Sequence, residues 1–466
     1  MSPTKLNHMA LIKSISGIRG TIGGTAGENL TPQDIVESTA AFGYWLRQRD
    51  LPARVVVGRD ARMSGHIVKE LVVNTLLATG LDVVDLDYST TPTVEMAVKW
   101  EEAGAGIVLT ASHNPRQWNA LKFLNERGEF ISAADGAALL ELINTGTIRY
   151  AEVDQLGRLT AKSGMIERHI EAILAHPLVE TEAVRQKKYH VVVDAINSTG
   201  AISVPPLLEA LGCDVTVLNG DLSGDFAHNP EPLPGHLTEL SETIRREQAD
   251  LGISVDPDVD RLAFVCEDGS MFGEEYTLVA VADYVLSRRP GNTVSNMSST
   301  RALADVTRKH GGTYTASAVG EVNVVQAMKD TDAVIGGEGN GGIIVPDLHY
   351  GRDALAGIAL FLTHLAKAGT SISHLRATYP DYQMVKDRID LTPDLDLEAI
   401  LLRMHEKYAH EQTNTVDGLK IDFADRWVHL RKSNTEPIIR LYAEAPTREQ
   451  AAELVGIIRE DVQEMM

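Results

Sequence analysis

The sequence predicts an α/β protein, with three units of alternating strands and helices followed by a C-terminal α+β module. Three observations carry this. Runs such as Arg54-Val-Val-Val-Gly58, Ile107-Val-Leu109, His190-Val-Val-Val-Asp194 and Leu251-Gly-Ile-Ser-Val255 are short and aliphatic, as strands covered on both faces are. Helical patterns separate them, which favours parallel sheets covered by helices. The order then changes near residue 390, where a helix precedes several strands. The 466 residues also exceed one ordinary core and suggest three or four domains.

Each element has a local reason. Thr31-Pro32-Gln33-Asp34 opens a helix, with Thr31 as N-cap and proline in the first turn. Strands follow at Arg54–Gly58, Val83–Leu86 and Ile107–Leu109, and Asn114-Pro115 reads as a turn or a helix start. A second unit begins at His190. Pro205 to Gly212 is a helix with a glycine stop, Cys213–Leu218 a strand, and Asp221 to Pro234 a loop before a helix from about Leu237. A third unit includes the strand Ala333–Ile335. Tyr379 to Leu397, with Pro380 and Pro393, reads as a linker. A helix over about 396–410, strands near Leu419–Phe423, Trp427–Leu430 and Ile438–Glu444, and a helix from about Arg448 complete the chain. The expected domains are 1–155, 156–268, 269–378 and 390–466.

Composition narrows the function. With 43 basic and 65 acidic residues the net charge is −22, which argues against a nucleic-acid or anionic-membrane surface. No stretch approaches the roughly 18 apolar residues of a membrane helix, and the N-terminus lacks the apolar core of a signal peptide. Cys213 and Cys266 form neither a disulfide framework nor a metal pair. The expected location is the cytoplasm. An anionic small substrate would need a local basic pocket.

Four motifs carry chemistry. In Gly106-Ile-Val-Leu-Thr-Ala-Ser112-His113-Asn114-Pro115, a serine follows the C-terminal end of a buried strand, where open α/β sheets place ligands. Such a serine needs activation or a covalent phosphate, and capping the next helix is its other reading. In Asp256-Pro-Asp258-Val-Asp260-Arg261, alternate side chains of an extended loop point the same way. The three carboxylates can then converge on a hard cation such as Mg²⁺, and Arg261 can hold a phosphoryl oxygen. A solvated acidic turn is the competing reading. Arg431-Lys-Ser433-Asn434-Thr435-Glu436-Pro437-Ile-Ile-Arg440 joins two strands and offers planar bidentate donors around a turn, a phosphate cradle rather than an ordinary hairpin. Gly336-Gly337-Glu338-Gly339-Asn340-Gly341-Gly342 is too glycine-dense for a regular element, and Glu338 and Asn340 can bridge vicinal sugar hydroxyls. Alone, that loop is a flexible turn.

In this order the motifs resemble the α-D-phosphohexomutase superfamily, over essentially the whole chain. Ser14-Ile-Ser-Gly17-Ile-Arg19-Gly20, Gly58-Arg59-Asp60-Ala-Arg62, Asn119, Lys122, Asp194 and Asn229-Pro-Glu-Pro also fit. The resemblance implies three similar mixed-sheet α/β domains plus a C-terminal α+β domain around a central cleft. It implies that Ser112 is carried as phosphoserine and that Mg²⁺ binds Asp256, Asp258, Asp260 and one phosphate oxygen of that phosphoserine. Glu338 and Asn340 would hold sugar hydroxyls, and Arg431, Ser433, Asn434, Thr435 and Arg440 the non-reacting phosphate. Arg19, Lys122 and Arg261 would offset charge on the transferring phosphoryl group.

The implied reaction interconverts hexose 6-phosphate and hexose 1-phosphate, with hexose 1,6-bisphosphate as intermediate and activator. Glucosamine phosphate is the narrowly preferred substrate, and mannose or glucose phosphate the alternative. The partner is a small phosphosugar, and the protein a monomer or homodimer. A phosphatase and a sugar-phosphate-binding regulator are the rival functions. The chain departs from the family where Asn340 replaces serine, Gly342 replaces histidine and Ala120 replaces glycine. Lys122, His113 or His349 would then be the candidate general acid/base. His113 serves equally to orient the serine loop, His349 reads as structural, and Arg59 and Arg62 are also explained by knitting the first domain together.

Overall fold

A computed structural model describes residues 11–14, 17–390, 397–432 and 438–465. They fall into two compact units. One comprises residues up to Thr277 with Gly341–Ser373, the other Leu278–Asn340 with residues from His374 onward.

The first unit holds two sheets. The larger has the strand order Ile12–Ser14, Gly17–Thr21, Trp118–Leu124, Ala105–Leu109, Arg54–Arg59, Asp82–Tyr88, Leu159–Ala161. Its Arg54–Arg59 strand pairs in parallel with both neighbours, as the aliphatic runs predict. Trp118–Leu124 runs antiparallel to both Ala105–Leu109 and Gly17–Thr21, which makes the sheet mixed. The capping signal at Thr31 is realised. Its side chain accepts from Asp34 N, and Asp34 accepts in return from Thr31 N. Val55, Val57, Ile107, Leu109 and Phe123 pack into one apolar cluster with Phe42 and Trp45 of the Pro32–Arg47 helix.

The second sheet has the order Leu262–Cys266, Leu251–Val255, His190–Asp194, Asp214–Leu218, with the first pair antiparallel. The helix placed at Pro205 begins earlier, at Gly200, and carries Pro205 and Pro206 inside it. Proline marked the helix but not its first turn.

In the second unit, Asn292–Asn296 pairs in parallel with Tyr314–Ser317 and Ala333–Glu338. A five-stranded sheet follows, of order Gln383–Asp390, Ile438–Ala445, Trp427–Lys432, Leu419–Asp422, Gln412–Asn414. The reading of Tyr379–Leu397 as a linker is therefore corrected. Gln383–Asp390 is an edge strand paired along its whole length with Ile438–Ala445. Its Lys-Asp-Arg-Ile-Asp run resembles a loop because edge strands carry charge that blocks further pairing.

Candidate active site

The strand Ala105–Leu109 ends in a loop held by the fold rather than by the loop itself. Ser112 has φ +49°, a left-handed conformation that non-glycine residues adopt only when over-determined. Ser112 N donates to Thr110 Oγ1 at 2.9 Å, and Thr110 Oγ1 donates to Asp60 Oδ2 at 2.6 Å. Fully buried Arg62 pairs with Asp60 and donates to the carbonyls of Pro115, Trp118, Asn114 and Ser112. It clamps the serine loop as well as knitting the domain. Arg59 is paired with Asp87.

Ser112 Oγ points at the acidic loop and donates to Asp256 Oδ2 at 2.6 Å. Asp256, Asp258 and Asp260 are fully buried and offer oxygens within 4.8 Å of one another. Val259 between them has φ +63°, which for a β-branched residue marks imposed strain. Lys122 Nζ lies 2.8 Å from Asp258 Oδ2 and 3.8 Å from Asp260 Oδ2. Asp256 Oδ1 accepts from the backbone N–H groups of Asp260 and Arg261, each at 3.1 Å. Arg261 Nη1 reaches Glu231 at 3.0 Å. Arg19 Nη1 donates to Asn114 Oδ1 at 2.9 Å, and its strand is seated by Gly17, where a Cβ would lie 2.5 Å from the Leu121 carbonyl oxygen. Ala120 faces Arg19 across the pairing.

Among the described residues, Asp258 Oδ1, Asp260 Oδ1 and Arg261 Nε are buried without a hydrogen-bond partner. Each such group costs roughly 1–3 kcal/mol unless something completes it. An all-oxygen donor set with two unfilled carboxylate oxygens fits a hard divalent cation, and the solvated-turn reading fails because no member is solvated.

The electrostatics follow from burial. Burial and the neighbouring Asp260 and Asp258 raise the Asp256 carboxyl well above its usual range. Burial also opposes ionisation of Asp258, but Lys122 overrides it and holds that carboxyl below its usual value. Lys122 would lose its proton more readily on burial alone, yet Asp258 and Asp260 raise it. His113 Nδ1 stands 3.4 Å from Ser112 Oγ. Burial, then Arg261, Arg19 and Arg352, lowers its imidazolium to about 2, so the ring is neutral.

In the second unit, Glu338 is 5 % exposed and its Oε1 accepts from Asn296 Nδ2 at 2.9 Å and Gly320 N at 3.2 Å. Asn340 follows, half-buried. Arg431 and Arg440 face each other across neighbouring strands. A groove beside them is lined by Lys386, Asp387, Arg388, Ile438, Arg440 and Tyr442. Ser433, Asn434 and Thr435 lie outside the described residues.

Comparison with known proteins agrees with this geometry. Residues 11–149, 167–269 and 273–382 match the alpha/beta/alpha domains I, II and III of phosphoglucomutase/phosphomannomutase, and 392–461 its C-terminal domain. A phosphoglucomutase/phosphomannomutase of Thermococcus kodakarensis is 36 % identical over 94 % of this chain and 96 % of its own. The chain belongs to the phosphoglucomutase/phosphomannomutase family. A probable phosphoglucosamine mutase of Methanopyrus kandleri is 34 % identical over 97 % of this chain and 98 % of its own. The crystal structure of a Burkholderia thailandensis member of the phosphoglucomutase/phosphomannomutase family superposes with a TM-score of 0.84 at 27 % identity, over 98 % of this chain and 97 % of that one.

For a member of this family, sequence reasoning missed several residues around the motifs. Arg352 Nη2 lies 2.6 Å from Asp260 Oδ2, and Thr91 Oγ1 donates to Asp258 Oδ2 at 2.5 Å. Both are far along the chain from the aspartates. Arg388 sat inside the supposed linker, in a Lys-Asp-Arg run without strand alternation. His349, a candidate acid/base, touches none of the three aspartates. It is paired with Glu95 and Asp353 in a separate buried cluster.

Proposed function

We propose that this chain is a phosphohexomutase that interconverts hexose 6-phosphate and hexose 1-phosphate through a phosphoserine at Ser112 and a sugar 1,6-bisphosphate. The observation that carries the reading is Ser112 Oγ, 2.6 Å from Asp256, aimed into a carboxylate trio that retains two oxygens without donors. Asp256, Asp258, Asp260 and an oxygen on Ser112 would hold Mg²⁺, which when bound supplies Lewis-acid charge neutralisation.

The rest falls to the chain's own side chains. Lys122, Arg261 and Arg352 offset the three aspartates, so a phosphoryl group on Ser112 does not meet an uncompensated acidic pocket. In the first transfer the Ser112 Oγ–P bond breaks as the sugar hydroxyl forms a new O–P bond. The hydroxyl proton ends on Ser112 Oγ. In the second transfer the other phosphate of the bisphosphate returns to Ser112, with the opposite proton balance. Arg19 holds the serine loop through Asn114 and adds positive charge. Neutral His113 lies close enough to Ser112 Oγ to orient it. Glu338 and Asn340 bind sugar hydroxyls, and Arg431, Ser433, Asn434, Thr435 and Arg440 hold the phosphate not being transferred.

The preferred sugar is glucosamine phosphate, in keeping with the name of the Methanopyrus kandleri relative. The Thermococcus kodakarensis relative's name supports glucose or mannose phosphate as the second reading. The test incubates the protein with Mg²⁺, a trace of the matching 1,6-bisphosphate, and glucosamine, mannose or glucose 1-phosphate in turn. Isomer formation, fastest with glucosamine, is expected. Release of inorganic phosphate without isomer would replace the mutase by a phosphatase, and a faster rate with glucose or mannose would reverse the sugar preference.

A further inference from the structure

Behind the aspartate loop lies a second cluster that the proposed reaction does not use. His169, His349, Asp353 and Glu95 are all buried, at 0 %, 5 %, 1 % and 1 % exposure. His349 Nδ1 lies 3.1 Å from Glu95 Oε2, and His349 Nε2 lies 3.1 Å from Asp353 Oδ2. His169 Nε2 lies 2.9 Å from the same Asp353 oxygen, and its Nδ1 lies 3.0 Å from Thr93 Oγ1. The remaining Asp353 oxygen accepts from Ala356 N and caps the Ala354–Ala368 helix. Three helices thus meet at His349 and Asp353: Thr91–Trp100, Met165–Leu174 and Ala354–Ala368.

Two of those helices reach the aspartate loop directly. Thr91, the first residue of its helix, donates to Asp258 Oδ2 through its hydroxyl and to Asp258 O through its N–H at 2.9 Å. Arg352, beside Asp353, pairs with Asp260. Ala354 N donates to the carbonyl of strained Val259 at 3.2 Å. Gly351 shows how closely the parts fit, since a Cβ there would lie 1.8 Å from Glu95 Oε2. A buried ionic network of this kind is a poor source of stability compared with apolar packing.

We propose that His349, bridging Glu95 and Asp353, is a positioning residue that locks Thr91 and Arg352 against Asp258 and Asp260 and so sets the metal affinity of the aspartate trio. The inference rests on the reading of Asp256, Asp258 and Asp260 as the metal site. His349 Nε2 is hydrogen-bonded to Asp353 Oδ2, and Glu95 Oε2 stands at ion-pair distance from its Nδ1; a ring that carries a proton on each nitrogen has no lone pair for a metal. Burial alone would lower the His349 imidazolium, but the bonds to Asp353 and Glu95 override it and raise it to about 10. His169, His349 and Asp353 also bring ligand atoms within 4.8 Å of one another, so the cluster is read as a cationic bridge and the number of bound ions tests that reading.

The test titrates the full-length, dephosphorylated protein with Mn²⁺ and follows free Mn²⁺ by electron paramagnetic resonance. Wild type should bind one ion. His349→Gln should keep its native circular dichroism and weaken Mn²⁺ binding by about 10- to 100-fold, the usual cost of losing an outer-sphere partner. At saturating metal, KM for the sugar phosphate should stay within about twofold. Glu95→Gln should shift Mn²⁺ affinity in the same direction, and it takes the place of His349→Gln if that variant does not fold. A folded His349→Gln with Mn²⁺ affinity within about twofold of wild type would overturn the proposal. So would two ions in wild type with one lost in His349→Gln, because the imidazole would then be a ligand. Asp258→Asn separates this from the underlying reading: if it binds one Mn²⁺ as tightly as wild type, the aspartates are not the metal site at all.

Discussion

The serine–aspartate site of the first unit and the arginine face of the second handle negative charge in opposite ways. Around Ser112 the three aspartates, Lys122, Arg62 and Arg261 are buried, and almost every one has a fixed partner. The carboxylates of Asp256, Asp258 and Asp260 are completely hidden, and Lys122 is 8 % exposed. On the second unit, Arg388, Arg440 and Arg431 stand in register on three adjacent strands, so three guanidinium groups line one face of the sheet. Like charges placed opposite each other in a sheet repel, and Arg388 is 63 % exposed. The first arrangement suits a step whose geometry must not vary. The second suits capture of a mobile dianion from water, where a wide, partly hydrated cationic surface tolerates more than one pose of the ligand.

The comparison predicts a graded response to mutation. Ser112→Ala removes the group proposed to carry the phosphoryl and should lower kcat by at least about a thousandfold, a barrier increase of roughly 4 kcal/mol, without loss of the folded circular dichroism. Activity within about tenfold of wild type would rule out the phosphoserine. Asp258→Asn should come next, at roughly a hundredfold in kcat/KM, because Lys122 and Thr91 both anchor on that carboxylate. Raising Mg²⁺ should recover part of the loss. If added metal has no effect, Asp258 does not serve the cation.

How much of this contrast was legible in the sequence depends on chain distance. The trio Asp256, Asp258, Asp260 and the run ending in Ser112 were readable because each is a local pattern that follows a strand. Thr91 and Arg352 were not, since nothing local distinguishes them from an ordinary helix start and an ordinary surface arginine. Only tertiary pairing brings them to Asp258 and Asp260. Parallel strands such as Arg54–Arg59 announced themselves through unbroken valines. Trp118–Leu124 did not, because Asn119 and Lys122 interrupt its apolar run, and Lys122 is the side chain that reaches Asp258. The Gln383–Asp390 strand was lost for a related reason, as its Lys386 and Arg388 look like loop residues until the sheet places them beside Arg440.

Arg440→Ala should act mainly on binding. A charge-assisted bond to phosphate is worth roughly 1.5–3 kcal/mol, so KM should rise about 10- to 100-fold while kcat changes little. An unchanged KM would remove Arg440 from the phosphate cradle.

Arg388→Ala should give the smallest effect, and it probes the comparison most finely. The side chain is mostly exposed, and it pairs with Asp390 at 3.9 Å. An exposed ionic contact contributes about 0–1 kcal/mol, so KM should rise no more than about fivefold at low salt. The increase should shrink as ionic strength rises, because the contact is screened over a Debye length of about 10 Å at 0.1 M. The buried site should show no such salt dependence, and Ser112→Ala should be equally inactive at every ionic strength. Removing Arg388 also relieves its repulsion with Arg440, so the melting temperature should hold or rise slightly. A fall in melting temperature with unchanged KM at low salt would show that Arg388 supports the sheet edge and takes no part in attracting the substrate.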